Sequence, residues 1–172
     1  MTSKITTSQT IGPFPHEAWR WATELTAQVN SSAPTVTVKG VLFDGAGVPI
    51  NDGWVETWMP QSAALESAQA IPGFRRIPTN DAGEFALQIT RPAQAEAGEP
   101  VAFVTVFARG LVKHQFSAVF LEDDATLAQS TILEQVPAAR RASLIARKQA
   151  DGSYVWNIHM QGPTETVFFD YL

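Results

Sequence analysis

Cysteine is absent from all 172 residues. That excludes a disulfide framework, a thiolate metal site, a cysteine nucleophile and a CxxC redox pair. Histidine and tyrosine are scarce: His16, His114, His159, Tyr154 and Tyr171 are the full set, and none lies between Glu17 and Lys113. A mechanism that draws imidazole or phenolate ligands from the middle of the chain is excluded with them. Positive charge is in deficit, with 12 Lys and Arg against 17 Asp and Glu and a formal net charge of −5, so the footprint of a nucleic-acid or anionic-membrane binder is missing. The longest uncharged apolar stretch, Val101 to Ala108, is far shorter than the roughly 20 residues needed to span a bilayer. The polar start, Met1 to Gln9, has no signal-peptide hydrophobic region. These absences lead to the expectation of a soluble, cytoplasmic protein forming a single domain over residues 1–172.

What the chain does contain is short apolar segments at regular intervals. Thr35 to Phe43, Trp54 to Trp58, Glu84 to Ile89, Val101 to Ala108, Gln115 to Phe120, Leu144 to Lys148, Tyr154 to Met160 and Thr166 to Tyr171 all read as strands. Eight such segments predict an all-β sandwich. In Tyr154 to Met160, a period of two puts Tyr154, Trp156, Ile158 and Met160 on the core face and Val155, Asn157 and His159 on the other. Asp44-Gly45 with Gly47, Asn51-Asp52-Gly53, Asn80-Asp81 with Gly83, and Asp151-Gly152 supply the turns, and Asp151-Gly152 predicts a hairpin. Around Ala18 to Val29, the spacing of Trp21, Leu25 and Val29 predicts a short amphipathic helix packing through those residues. Asp123-Asp124 reads as the cap of a short helix through Ala128. Ser62 to Ala70 and Ala93 to Pro100 read as loops.

Few residues carry an obvious chemical signature. No GxSxG, GxxxxGK[ST], HExxH or GxGxxG pattern occurs. The three histidines lack the spacing that pairs two imidazoles on one metal. Glu56, Asp81, Glu84, Asp123 and Asp124 are free to pair in space, and turns and solvated faces are their simpler role. The run Ser8 to Phe14 has no core periodicity; Gly12 and Pro13 suit either a plain extended arm or an arm laid along a pocket or partner. Arg109, between a strand and Gly110, reads either as a surface turn residue or as a guanidinium aimed at an anion in an adjoining cleft.

Gln9-Thr10-Ile11-Gly12-Pro13-Phe14 resembles the Gln-Thr-x-Gly-Pro-aromatic arm of the intradiol ring-cleavage dioxygenases. Val38 to Ile50 followed by Trp54-Val55-Glu56-Thr57-Trp58 is similar to their two-strand core motif, and Thr79 to Phe85 to their next turn and strand. Phe107 to Leu111, Arg140 to Ala146 and Gln161 to Asp170 look like the alpha subunit of the two-chain members that act on protocatechuate. The resemblance runs from about Ser8 to the C-terminus.

That resemblance implies a transthyretin-like β-sandwich over residues 35–172, preceded by an N-terminal arm and short helix over residues 1–34. It implies ring opening of a catecholate by O2 at a ferric iron held by two Tyr and two His. The corresponding stretch here, Met59 to Phe103, has neither residue type, and the strand that would carry His-x-His reads Val101-Ala102-Phe103. The expectation is therefore that this chain holds no metal and no catalytic residue of its own. Fe(III) is expected on a partner beta subunit within a higher-order alpha–beta oligomer. By resemblance, Thr10, Gly12, Pro13 and Arg109 line the substrate pocket at the alpha–beta interface. Two other readings stay open on the sequence: a free-standing transthyretin-like binding module, and an iron site built from Tyr154, Tyr171 and His114 or His159 at unusual positions.

Overall fold

The computed structural model describes residues 20–27, 29, 31, 33–92 and 95–170. Sheet dominates. The strands are β1 (Thr35–Phe43), β2 (Trp54–Trp58), β3 (Phe74–Pro78), β4 (Glu84–Thr90), β5 (Ala102–Phe107), β6 (Gln115–Leu121), β7 (Ile145–Lys148), β8 (Tyr154–Val155) and β9 (Ile158–His159). Helices are short: α1 (Arg20–Ala27), α2 (Pro60–Ala63) and α3 (Thr131–Gln135), with 3-10 turns at Leu127–Gln129 and Ala138–Leu144. The strands follow the order β3-β2-β5-β6-β7-β8-β1-β4, with β9 also paired to β1. Most neighbours run antiparallel; β6 with β7 and β1 with β8 and β9 are parallel.

Alternation along the strands sends one residue in two inward. In β5, Ala102, Val104 and Val106 are buried while Phe103, Thr105 and Phe107 are half-buried. Inward residues from both halves of the strand path, among them Val38, Leu42, Val55, Leu87, Val104, Val119 and Tyr154, form one apolar cluster. Strand β6 is buried on both faces, because Ala118 and Phe120 point away from that cluster into a second one with Leu133, Val136 and Leu144. This double burial explains the continuous apolar run in its sequence.

The turns work by one repeated device. Asp44 Oδ1 accepts the N–H groups of Ala46 and Val48, both at 2.8 Å, and Asn80 Oδ1 accepts those of Ala82 and Glu84. Asp151 Oδ1 accepts the Ser153 N–H at 2.9 Å, and Gly152 takes φ 82°, so β7 and β8 form the expected antiparallel hairpin.

Four expectations need correction. Trp21 and Leu25 do not face the sheet: they are 62% and 47% exposed, and Ala22 and Thr26 are buried instead. Thr26 Oγ1 accepts the Arg76 backbone N–H at 3.0 Å, so the small-residue side of α1 caps a donor on edge strand β3 that bulky side chains would hold away. Asp124 accepts from the Thr126 N–H and hydroxyl in a turn, and the N-cap in this region is Ser130, which accepts the Leu133 N–H to start α3. The stretch Thr166 to Asp170 forms only an isolated bridge, Phe116 with Phe169, because the Ser117 hydroxyl takes the Val167 carbonyl out of the ladder; Tyr171 lies outside the described residues. Strand β3 and α2 occupy ground read as loop or left unassigned. In Tyr154 to Met160 the core face is as expected, although the strand breaks between β8 and β9.

Tyr154 links the core to the surface. Its hydroxyl donates to Asp123 Oδ1 at 2.8 Å and also lies 2.9 Å from Oδ2, while Lys148 Nζ sits 2.7 Å from Oδ2. Burial raises the Asp123 carboxyl, and the bonds from Lys148 and Tyr154 more than reverse this, leaving it below its ordinary 3.8. Tyr154→Phe should cost about 1.5 kcal/mol, the worth of a hydrogen bond to a charged acceptor. In urea titrations the gap from the parent should narrow as pH falls below 3.8, because a lowered carboxylate pKa is a stabilisation lost on protonation.

Candidate functional site

The β2–β5 ladder ends at Trp54 with Phe107, and Asp52 and Arg109 each lie two residues past that pair. Arg109 Nε lies 2.7 Å from Asp52 Oδ2, close enough for an ion pair but off the axis of a hydrogen bond. The Asp52 carboxylate is 12% exposed and the Arg109 side chain 67%, so the acid is a fixed anchor and the guanidinium projects from it. Asp52 is fixed because Gly53 behind it is tightly enclosed: a Cβ there would meet Leu42 at 2.6 Å and the Phe107 carbonyl at 3.1 Å.

Arg109 stands at the edge of a cleft of about 540 Å³. Ile50, Met160 and Phe168 give it apolar surface, and Arg140, Gln115 and Gln161 supply polar groups. Arg140 comes from the 3-10 turn Ala138–Leu144 and donates through Nη2 to the Glu165 carbonyl at 3.0 Å, with Glu165 Oε1 at 3.4 Å. Gln161 follows β9 and lies against Gly45, where a Cβ would come within 2.8 Å of its amide oxygen. The cleft sets two arginines and the Gln161 amide beside apolar surface, chemistry suited to a planar carboxylate. A groove of like volume over β1 and β4, lined by Lys39, Glu84 and Asn157 among others, does not include Arg109.

Of the residues singled out from sequence, the structure places Arg109 at this cleft; Thr10, Gly12 and Pro13 lie outside the described residues. Arg140 and Gln161 sat in the family-like motifs with no role attached. Of the five acids singled out, four are engaged elsewhere: Glu56 binds Arg76, Glu84 accepts from Asn80, Asp123 holds Tyr154 and Lys148, and Asp124 serves its turn, while Asp81 lies in the turn before β4.

The described residues do not fit a ferric centre of two phenolates and two imidazoles. His114 lies between Phe107 and Phe116, with ring centroids 5.3 and 4.6 Å away, and His159 stacks on Phe43 at 4.9 Å. The Tyr154 hydroxyl is committed to Asp123, and burial with that hydrogen bond and charge raises its phenol above 10.0. Among the described residues no group of three or more His, Asp or Glu converges as a metal-holding set. Among the same residues no helix is long and apolar enough to cross a membrane.

No family profile matches the chain. It is 31% identical over 194 aligned positions to the protocatechuate 3,4-dioxygenase alpha chain of Burkholderia cepacia, covering 98% of each chain. It is 29% identical to the alpha chain of the same name from Pseudomonas putida, covering 96% of each. Among solved structures, the dioxygenase domain of a dioxygenase and carbohydrate-binding fusion from Streptomyces sp. SirexAA-E superposes with a TM-score of 0.56 at 17% identity, over 76% of this chain and 82% of that one, a likeness of fold. With nearly a third of its residues shared along almost its whole length, the chain belongs to the family of protocatechuate 3,4-dioxygenase alpha chains.

Proposed function

We propose that this chain is the non-iron alpha subunit of a protocatechuate 3,4-dioxygenase, an oxidoreductase that opens the ring of 3,4-dihydroxybenzoate between its hydroxyl carbons with O2 to give 3-carboxy-cis,cis-muconate. The observation that carries this reading is end-to-end kinship with alpha chains at 31% identity. The chain contributes a wall of the substrate pocket, and a beta chain contributes Fe(III). The engagement of His114, His159 and Tyr154 in ring contacts and a hydrogen bond supports that division, and no step of the iron chemistry runs through this chain's described residues.

Arg109 is the pocket residue with the clearest physical case. Asp52 holds the guanidinium from one side, and the rest of the fork is free to meet the carboxylate of protocatechuate. Thr10, Gly12 and Pro13 complete the pocket wall in this reading, with Gly12-Pro13 presenting backbone without bulk and helping to exclude water. The fold is read as a single transthyretin-like sandwich behind an N-terminal arm; the shared core beneath both halves of the strand path supports it. A cytoplasmic alpha–beta oligomer completes the proposal.

The test is co-expression with the beta chain. Arg109→Ala should raise the KM for protocatechuate roughly tenfold, the worth of one charge-assisted hydrogen bond, while iron content and visible ferric absorption per complex stay level. Unchanged KM and kcat at full iron loading would remove Arg109 from the pocket.

A further inference from the structure

We infer that the Arg109 cleft is a two-point carboxylate clamp, with Arg140 as its second point, and that its ligands are dicarboxylates with a flat, unsaturated body. Both arginines line one cleft, and each is tethered on one side: Arg109 by its ion pair with Asp52, Arg140 by its bond to the Glu165 backbone carbonyl. A tethered guanidinium keeps a fixed direction while leaving further N–H donors open, so less freedom is lost when a carboxylate docks. Ile50, Met160 and Phe168 between them offer a surface for an apolar, planar body, and the Gln161 amide adds a neutral polar group.

The negative charges at the cleft set its selectivity. Asp44 lines it too, but its Oδ1 is occupied by the turn N–H groups of Ala46 and Val48. Asp52 is nearly buried under Arg109. Glu165 is the acid most easily displaced: its carboxylate reaches Arg140 only at 3.4 Å, whereas the shorter 3.0 Å bond goes to its backbone carbonyl. An incoming carboxylate takes the place of the Glu165 side chain on Arg140 without breaking the bond that fixes the arginine to the backbone. A ligand with one carboxylate fills only the Arg109 point.

The identity of the natural ligand rests on the proposed function: ring opening converts a monocarboxylate into a tricarboxylate, so the second point engages the product and not the substrate. The clamp itself rests on the cleft geometry alone. It is tested on the full chain by calorimetric titration with benzoate, which carries one carboxylate, and cis,cis-muconate, which carries two. The parent should bind muconate at least tenfold more tightly than benzoate. Arg140→Gln should erase that ratio and leave benzoate binding within twofold, and Glu165→Gln should tighten muconate binding by removing its competitor. A merely structural role for Arg140 would shift the melting temperature and leave the ratio intact. No binding of muconate by the parent, a ratio near one in the parent, or a ratio that survives Arg140→Gln overturns the clamp. Oxygen uptake by the co-expressed complex reports separately on the dioxygenase reading, so the clamp and that reading fail on different measurements.

Discussion

Glu66→Ala is expected to remove a large share of the stability of the fold. Glu66 and Arg75 are buried to 0% and 2% side-chain exposure and face each other with Arg75 Nη2 to Glu66 Oε1 at 2.6 Å and Nη1 to Oε2 at 3.0 Å. Thr90 donates its hydroxyl to Oε1 at 2.5 Å, and the Gly73 N–H donates to Oε2 at 2.9 Å. Every partner of the carboxylate belongs to a different segment, so this one group ties the loop after α2 to strands β3 and β4. Removing it leaves a guanidinium in the interior with no counter-charge, a loss of about 3–5 kcal/mol from a total of about 5–15 kcal/mol for a domain. Arg75→Ala strands the opposite charge and should cost a comparable amount. Replacing the pair together, Glu66→Leu with Arg75→Met, should recover much of the loss, because the desolvation of both charges is then avoided. Urea unfolding followed by tryptophan fluorescence measures all three.

The same pair predicts acid sensitivity. Burial raises the Glu66 carboxyl, but hydrogen bonds from Arg75, Thr90 and the Gly73 N–H, with the Arg75 charge, outweigh it and hold the group below its ordinary 4.5. A lowered carboxylate pKa contributes stability that is complete above the unfolded value and lost as pH falls through the folded one. The parent should therefore weaken progressively below pH 4.5, and the Leu/Met double variant should lose this part of the slope.

This buried pair also shows where sequence reading stops. Strands β1 and β2 were legible to the residue because alternating side chains end in Asn, Asp and Gly turns. Strand β3 reads Phe-Arg-Arg-Ile-Pro, and nothing in hydropathy says that the first arginine is fully buried while the second lies over Trp54 and Phe74 and pairs with Glu56. Its counter-charge, Glu66, sat in a run that looked featureless. Helix α1 was legible as a helix, but its buried face carries Thr26, which accepts the Arg76 N–H on an edge strand, and Trp21 and Leu25 were left outside. At the candidate site, Arg109 stood out because it follows a strand and precedes a glycine. Arg140 gave no such sign: the residue that holds it, Glu165, is 25 positions away, and the cleft exists only once the 3-10 turn folds against the end of β9.

Gly40→Ala should be the most damaging single-methyl change in the sheet. An ideal Cβ at position 40 would lie 1.9 Å from the Trp156 carbonyl oxygen and 2.8 Å from its carbon, with Phe85 at 2.7 Å. The phenyl ring has some room to swing, but the Trp156 backbone does not. Its N–H is bonded to the Lys39 carbonyl at 2.8 Å and its indole N–H to the Ser143 carbonyl at 2.8 Å. This residue is the break between β8 and β9: Tyr154 and Val155 pair with Val38 and Lys39, Ile158 and His159 pair with Leu42 and Phe43, and between them the Val41 N–H turns to the Asn157 side chain. A methyl group at 40 must push that break off β1, so the expected cost is about 3–5 kcal/mol, at or above the usual range for overpacking. Gly110→Ala is the control. It meets nothing within 4 Å but holds φ 87°, so it should cost only about 1 kcal/mol through backbone strain. Chemical denaturation should rank the two in that order, and hydrogen exchange should show the Gly40 variant opening first at Trp156 to Met160. Because Met160 and Gln161 follow β9 directly into the Arg109 cleft, the Gly40 variant should also lose carboxylate binding there, and Gly110→Ala should preserve the fold that presents it.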